Sequence, residues 1–162
     1  MVLLRYLYVV ALVLWVGGLI SAGALVAPSV FGVLQAWNAA EGRMLAGQVF
    51  GEVLLRLTWL SYVMAVIMFV TLTLHRLLGA RPVKYGIRVG IMGLMLMMMF
   101  ITGFILIPQV DGIQAQVQGP VASLPDTDPR RMEFNRLHGI SNILFSITAI
   151  GGLALCWWEA RE

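Results

Sequence analysis

The chain has 162 residues, of which 60% are hydrophobic and 12% charged, with a formal net charge of +3 and a mean hydropathy of +0.88. This composition leaves too little polar surface to cover a water-soluble globule, so it excludes an ordinary soluble domain. No basic stripe with interleaved aromatic residues is present, which argues against nucleic-acid binding. A lone cysteine, Cys156, excludes an internal disulfide.

Four stretches without any charged residue predict four membrane-spanning helices, because a spanning helix needs about 20 apolar residues. Each stretch is 18 to 22 residues long: Tyr6 to Ala27, Leu57 to Leu74, Val89 to Val110 and Gly139 to Trp158. With their flanking residues, we predict spans at about 4–28, 55–77, 87–108 and 137–158 and outer segments at about 29–54 and 109–136. The predicted fold is all-α, a polytopic four-transmembrane-helix bundle forming a single domain over 1–162.

The distribution of charge predicts the orientation of this bundle. The short link between the second and third spans carries Arg76, Arg81, Lys84 and Arg88 and no acid, whereas the two longer connections carry five basic and six acidic residues. By the positive-inside rule the short link is cytoplasmic. Both termini are then predicted to be cytoplasmic, and we expect the chain to lie in the cytoplasmic (inner) membrane of a bacterium.

The first span resembles a signal peptide in having Arg5 before an apolar run that ends in small residues. Its apolar run is longer than an ordinary signal-peptide core, so we predict a retained helix. The spacings Gly17/Ser21 and Gly18/Ala22 favour close approach of another helix. Pro28 is expected to end or kink this helix.

The connection between the first two spans contains a helix-start pattern. Asn38 and Glu41 have the spacing of a capping box, which predicts a short helix starting near Ala39 and lying in the membrane interface. Glu52 and Arg56 follow at i, i+4, in the order that favours an ion pair.

The third span is expected to continue past Pro108 as an amphipathic extension and to stop before a proline-rich loop. Asp128 followed by Pro129 predicts the start of the fourth helix. Both halves of the chain show the same order of a glycine-bearing span, a late proline and an amphipathic piece. This order leaves a duplication of a two-helix hairpin open.

Two segments carry a family resemblance. The stretches "LRYLYVVALVLWVGGLISAGALVAPSVF" and "EFNRLHGISNIL" resemble an uncharacterised bacterial membrane family related to transmembrane protein 205. The resemblance implies a four-helix membrane protein without an assigned biochemical activity; its eukaryotic relatives are linked to platinum-drug tolerance. "LWVGG" is also similar to the first helix of the copper resistance protein D group and of haem-binding protoporphyrinogen oxidase. Those groups have a histidine two turns before the tryptophan, where this chain has Tyr8, so the ligand is not carried over.

A row of polar side chains on the fourth helix is the main candidate site. Asn135, His138 and Asn142 fall at i, i+3 and i+7, and Ser146 extends the row. In hydrocarbon this face is expected to point into the bundle or toward trapped water. Three interpretations stay open: a buried hydrogen-bond ladder, an outward-opening pocket in which His138 binds a ligand or moves a proton, or a His138 that simply lies in the lipid headgroup zone. The predicted ligand-binding residues are His138, Asn142, Asn135, Arg56 and Glu52.

Metal and cofactor chemistry receive weaker support from the sequence. His75 and His138 lie at opposite ends of the bundle, about 25 to 30 Å apart by bilayer thickness, which excludes a haem held by both. A tetrapyrrole on one histidine stays possible, and no cofactor is required by the sequence. Methionines on the second and third spans suit Cu(I), but adaptable packing is the commoner role; they are Met64, Met68, Met92, Met95 and Met99.

Three hypotheses for function follow. The first is a non-enzymatic accessory or structural subunit that packs beside a larger membrane complex, with the lipid bilayer and other membrane protein subunits as its partners. The second is a small transporter or a metal- or drug-tolerance factor that uses an outward-facing pocket at His138 and Asn142. The third is a redox membrane protein that holds haem or a related pigment. The absence of phosphate-loop, zinc-helix, nucleophile-elbow and CxxC motifs favours the first.

Overall fold

A computed structural model describes residues 2–78, 82–117 and 119–161, with the side chain of Ala40 left out. Within these ranges, four helices are long and apolar enough to cross a membrane. The first helix runs over Val2–Trp37, the second over Ala39–Leu77, the third over Tyr85–Ala115 and the fourth over Pro129–Glu159. All four predicted spans lie within these helices. Arg81, part of the predicted basic link, lies outside the described residues.

Both the first and the third helix continue past a proline. The first helix does not end at Pro28, which was one of the two expectations there, and the third continues past Pro108 to Ala115, as expected. The first helix is α-helical over Val2–Ser21, widens to π-helical turns over Ala22–Val26 and is α-helical again over Ala27–Trp37. The third helix shows the same order of segments: it is α-helical over Tyr85–Ile101, π-helical over Thr102–Leu106 and α-helical again over Ile107–Ala115. Pro28 and Pro108 each stand in the first turn after a π segment. The wider turn makes room for the proline ring and for its missing N–H, so the helix is not interrupted there.

The turn at Asn38 joins the first and second helices. Asn38 has an extended backbone, and its side-chain oxygen accepts a hydrogen bond from the backbone N–H of Glu41 at 3.1 Å. This confirms the predicted cap and a helix start at Ala39. The predicted short interfacial helix is corrected, because Ala39–Leu77 is a single helix of 39 residues that continues into the second span.

Gly42 lets the two helices approach closely just after this turn. A Cβ atom at Gly42 would lie 1.9 Å from the backbone carbonyl oxygen of Leu34, which is a steric clash. A backbone atom cannot relieve this clash by a side-chain rotation. We expect Gly42→Ala to separate the ends of the first and second helices and to lower the thermal unfolding temperature in detergent. Gly47→Ala is the matched control, because its added Cβ meets no described atom within 4 Å. Equal unfolding temperatures for the two variants would contradict the close approach.

The four helices form a ring in chain order. The first packs on the second, the second on the third, the third on the fourth and the fourth on the first. At one end, here called the terminal end, lie the first and last described turns, near Val2 and Glu159, together with residue 78 and residues 82–84 of the short link. The other end, the connector end, holds the Asn38 turn and the loop between the third and fourth helices. Which end faces the cytoplasm stays a prediction.

The core of the bundle is built from side chains of all four helices. Trp15, Leu19, Met68 and Leu155 are fully buried in it. The five methionines considered as metal ligands all belong to the buried set, as adaptable apolar side chains commonly do. Of the two predicted small-residue faces on the first helix, the one with Gly18 packs closely on the second helix, since a Cβ at Gly18 would lie 2.9 Å from Leu57. A Cβ at Gly17 would face open space.

The loop before the fourth helix is organised by ion pairs. Asp128 caps the helix by accepting from the backbone N–H of Arg130 at 2.9 Å, as predicted. Hydrogen bonds from Arg130 lower the pKa of Asp128 to about 2, so the carboxylate stays ionised and its stabilising effect is lost only as the pH falls from 3.8 toward 2. Arg131 pairs with Asp126 at 2.6 Å. Asp126 and Asp128 therefore compensate the charges of the two arginines at the start of the fourth helix.

Candidate functional site

The polar row of the fourth helix lies on the outside of the single chain. The side chains of Asn135, His138, Asn142 and Ser146 are all exposed. The imidazole of His138 stacks on Phe134 with a distance of 6.2 Å between ring centroids and an angle of 2° between the planes. This differs from the expectation that the row faces the bundle. Binding of a ligand or tetrapyrrole by His138 stays a prediction.

The packing residues of the fourth helix explain this orientation. The face buried in the bundle carries Leu137, Thr148, Gly152, Leu155 and Glu159, which recur at helical spacing. Gly152 brings this face against Val16 of the first helix, so small and apolar positions determine the rotation of the helix. The row lies about 120° away from that face, on the side of the first helix, at 100° per residue.

Glu52 and Arg56, the other two predicted site residues, form a pair of their own on the second helix. The Arg56 Nε atom lies 2.9 Å from Glu52 Oε1, and both side chains are exposed. The i, i+4 ion pair is therefore confirmed. Within the described residues, neither side chain has a hydrogen bond, ion pair or ring contact with the polar row. The second and fourth helices are diagonal in the ring, which keeps the two sets apart.

A second group of ionisable residues lies at the terminal end and is largely buried. Arg5 Nε donates to Glu159 Oε1 at 2.7 Å, and Arg5 Nη2 donates to the Glu159 carbonyl at 3.2 Å. Arg88 Nη2 donates to the other carboxylate oxygen of Glu159. The Arg88 side chain is only 1% exposed, while that of Arg5 is 43% exposed. Glu159 thus joins the first, third and fourth helices through charge-assisted hydrogen bonds.

Aromatic and polar neighbours complete this terminal-end cluster. The Arg88 guanidinium lies 4.7 Å from the centre of the Tyr8 ring, and the Tyr8 hydroxyl lies 4.0 Å from the Met92 sulfur. Thr71 and His75 of the second helix line the same recess. The space left between these groups holds about one water molecule. The cluster can therefore tie the helix ends together and order a water molecule, but it is too small to hold a solute.

Sequence reasoning used Arg88 only as a topology signal and missed its place in the core. A signal was present, because Arg88 precedes Met92, Met95 and Met99 at spacings of 4, 7 and 11, on the methionine face of the third helix. An arginine on a buried stripe requires a partner carboxylate. The partner, Glu159, directly follows the last uncharged window. The sequence does not show that it pairs with Arg88, because that contact depends on how the helices are arranged.

The described residues contain no group of three or more His, Cys, Asp or Glu side chains placed to hold a metal ion. Tyr8, at the position where the copper and haem groups have a histidine, is buried against Arg88. The contact between the Tyr8 ring and the Arg88 guanidinium therefore contributes to packing between the first and third helices.

Comparison with protein families matches residues 10–118 to a domain of unknown function, DUF4149. The chain belongs to the DUF4149 family. The match covers the first three helices and the two π segments, and it ends before the fourth helix. No curated protein and no solved structure matches the chain. Relationships to transmembrane protein 205 and to the copper resistance and haem-binding groups stay predictions from their motifs.

Proposed function

We propose that the protein is a non-enzymatic structural subunit of a larger assembly in the bacterial cytoplasmic membrane, and that a neighbouring protein covers the polar row of its fourth helix. The observation that carries this proposal is the exposure of Asn142. It lies one turn inside the uncharged window that begins at Gly139, yet its amide is on the outside of the single chain.

An exposed amide at this depth has a physical cost. The hydrocarbon offers no hydrogen-bond partner, so an unsatisfied amide against lipid costs several kcal/mol. Polar side chains in membrane helices therefore usually face protein or trapped water. Ser146 satisfies itself by donating to the carbonyl of Asn142 at 2.8 Å, but the Asn142 side chain has no hydrogen bond among the described residues. A protein partner at this surface removes the cost.

The predicted orientation agrees with this role. Arg5, Arg76, Lys84, Arg88 and Arg161 lie at the terminal end, which we assign to the cytoplasm by the positive-inside rule. The Arg88 and Glu159 contacts then hold the cytoplasmic ends of the helices together. The polar row then lies in the opposite half of the membrane, nearer the connector end of the bundle. A fixed bundle with one partner-facing surface fits a structural subunit better than a transporter.

Site-specific photo-cross-linking in native membranes tests the proposal. A photoreactive amino acid at position 142 should yield a protein adduct, because a neighbouring chain covers that position. The matched control is position 140, whose isoleucine is exposed on the same turn but lies about 200° around the helix. That position should react mainly with lipid. Lipid adducts alone at position 142, with the protein present at its normal level, would overturn the proposal.

A further inference from the structure

A recess opens between the second and third helices at the terminal end of the bundle. It has a volume of about 560 Å³ and is lined by Arg76, Leu77, Pro82, Tyr85 and Gly86. This volume lies in the range of about 300–1,000 Å³ that is typical of sites for small ligands. The recess shares no lining residue with the space in the terminal-end cluster, which holds only about one water molecule.

The recess lies at the border of the membrane-spanning region. Arg76 stands two residues after Leu74, where the uncharged window of the second span ends, and Gly86 stands three residues before Val89, where that of the third span begins. A tyrosine such as Tyr85 is typical of the interface between hydrocarbon and water. The groups that line the recess are therefore at the level of the lipid headgroups.

Arg76 is held in place by the ring of Tyr85. The guanidinium carbon lies 4.3 Å from the ring centroid, which is within the distance of cation–π attraction. The Tyr85 hydroxyl in turn lies 3.2 Å from the Thr73 hydroxyl, so a hydrogen bond fixes the ring on the second helix. The Arg76 side chain forms no ion pair and donates no hydrogen bond to the described residues. Its N–H groups are therefore available to an acceptor that enters the recess.

The pairing of arginines differs between the two ends of the bundle. Toward the connector end, four arginines each pair with a carboxylate no more than five residues away in the chain: Arg56, Arg130, Arg131 and Arg136. Among the described residues of the terminal end, the single carboxylate is that of Glu159, which accepts from both Arg5 and Arg88. Arg76 and Arg161 lie over aromatic rings instead. The terminal end therefore exposes positive charge that its described residues do not compensate.

The recess combines polar and apolar walls. Arg76 supplies N–H donors, whereas Leu77 and Pro82 supply hydrocarbon, and Leu77 is 73% exposed. A phospholipid has the same combination, because its phosphate is joined through glycerol to acyl chains. Basic pockets between membrane helices on the cytoplasmic side bind anionic headgroups, and a planar guanidinium can donate two parallel hydrogen bonds to a phosphate. A free phosphate ion would leave the apolar walls uncovered.

We propose that this recess binds the headgroup of an anionic phospholipid. Arg76 donates to the phosphate, and Leu77 contacts the beginning of an acyl chain. Gly86 leaves room for the headgroup, because even a Cβ atom at that position would meet no described atom within 4 Å. In the predicted orientation this lipid belongs to the cytoplasmic leaflet, and it links the ends of the second and third helices. The site does not depend on the proposed function, since the polar row lies on the fourth helix and toward the other end of the bundle.

Native mass spectrometry of the purified protein tests this site. The protein is released from micelles that contain phosphatidylglycerol or phosphatidylcholine of the same chain length, and the bound lipid is measured. We expect retention of phosphatidylglycerol in preference to phosphatidylcholine. Arg76→Gln should lower that retention roughly fivefold or more, which is the scale of one arginine at an anionic surface.

Arg161→Gln is the matched control for the loss of charge. It removes the same charge and a similar contact with an aromatic ring, since the Arg161 guanidinium carbon lies 4.4 Å from the centre of the Trp157 ring. Arg161 does not line the recess. This variant should therefore keep most of the bound phosphatidylglycerol.

A second variant tests the recess without a change of charge. Gly86→Leu places a side chain in the recess, where its Cβ atom meets no described atom, so the bundle should fold with an unchanged unfolding temperature. Retention of phosphatidylglycerol should nevertheless fall as it does in Arg76→Gln. Gly90→Leu is the control, because it also has open space around its Cβ atom but lies one turn further along the helix, outside the recess.

The outcomes distinguish the possible occupants of the recess. Equal retention of the two lipids, equal losses in Arg76→Gln and Arg161→Gln, or unchanged retention in Gly86→Leu would each overturn the site. Displacement of the lipid by millimolar inorganic phosphate would overturn the lipid as the ligand. A photoreactive amino acid at position 86 should give lipid adducts in native membranes, and protein adducts there instead would also overturn it. These results are independent of the adduct at position 142, so either proposal can fail without the other.

Discussion

Glu159→Ala is expected to be the most destabilising single substitution at the terminal end. Glu159 accepts from Arg5 and from Arg88, and the Arg88 side chain is almost completely buried. Removing one member of a buried ion pair typically costs about 3–5 kcal/mol, because the remaining charge loses its compensation in a medium of low dielectric constant. We expect a marked fall in the thermal unfolding temperature in detergent and in the yield of folded protein.

Two controls separate this effect from a general loss of packing. Arg5→Gln should cost less than about 1 kcal/mol, since the Arg5 side chain is 43% exposed and water screens its charge, and Glu159 keeps its contact with Arg88. The double variant Arg88→Met with Glu159→Met should recover most of the lost stability, because buried ion pairs are often replaced by apolar residues without cost. An unfolding temperature for Glu159→Ala equal to that of the unchanged protein would refute the role of the cluster.

Gly152→Ala is expected to have the second largest effect. An added Cβ would lie 2.3 Å from the Val16 Cγ2 atom and 3.4 Å from the Met95 Cε atom, so the first and fourth helices would have to move apart. Inserting a methyl group into a filled core costs about 1–3 kcal/mol. The loss should appear as a lower midpoint in unfolding by a denaturing detergent.

The compensating change is Val16→Ala, which removes the methyl group that the new Cβ meets. Gly152→Ala with Val16→Ala should therefore be more stable than Gly152→Ala alone. Gly90→Ala is the control for the intrinsic effect of replacing a helical glycine, because its added Cβ meets no described atom within 4 Å. That variant should be unchanged or more stable by about 0.5–1 kcal/mol from helix propensity. Equal losses at Gly152 and Gly90 would exclude the steric explanation.

Local signals in the sequence were reliable where neighbours along the chain decide the structure. The uncharged windows placed all four helices, and the Asn38 and Asp128 caps placed two helix starts. Capping and i, i+4 pairing depend on residues within about one turn of a helix. The i, i+4 spacing alone was therefore sufficient to predict the ion pair between Glu52 and Arg56. Pro28 was expected to end or kink the first helix, but a π segment formed before it lets the helix continue to Trp37.

Local signals in the sequence did not predict the orientation of the candidate site. Helical spacing put Asn135, His138 and Asn142 on one face, but it carries no information on which way that face turns. Gly152 against Val16 and Glu159 against Arg88 determine the rotation of the fourth helix, and both contacts join residues more than 70 positions apart. The glycine and proline positions of both halves were visible in the sequence, but the π segment that lies before each proline was not.

The sequence by itself determined that this is a four-helix membrane protein, because hydrophobic length and helix caps are properties of single segments. Tertiary structure alone decided that Arg88 is buried against Glu159 and that the polar row of the fourth helix lies outside the single chain. The physical reason is that lipid is as apolar as a protein core, so hydropathy selects segments that span but does not distinguish a face packed on protein from a face toward lipid. Contacts between particular side chains of different helices determine which face packs on protein and which faces lipid.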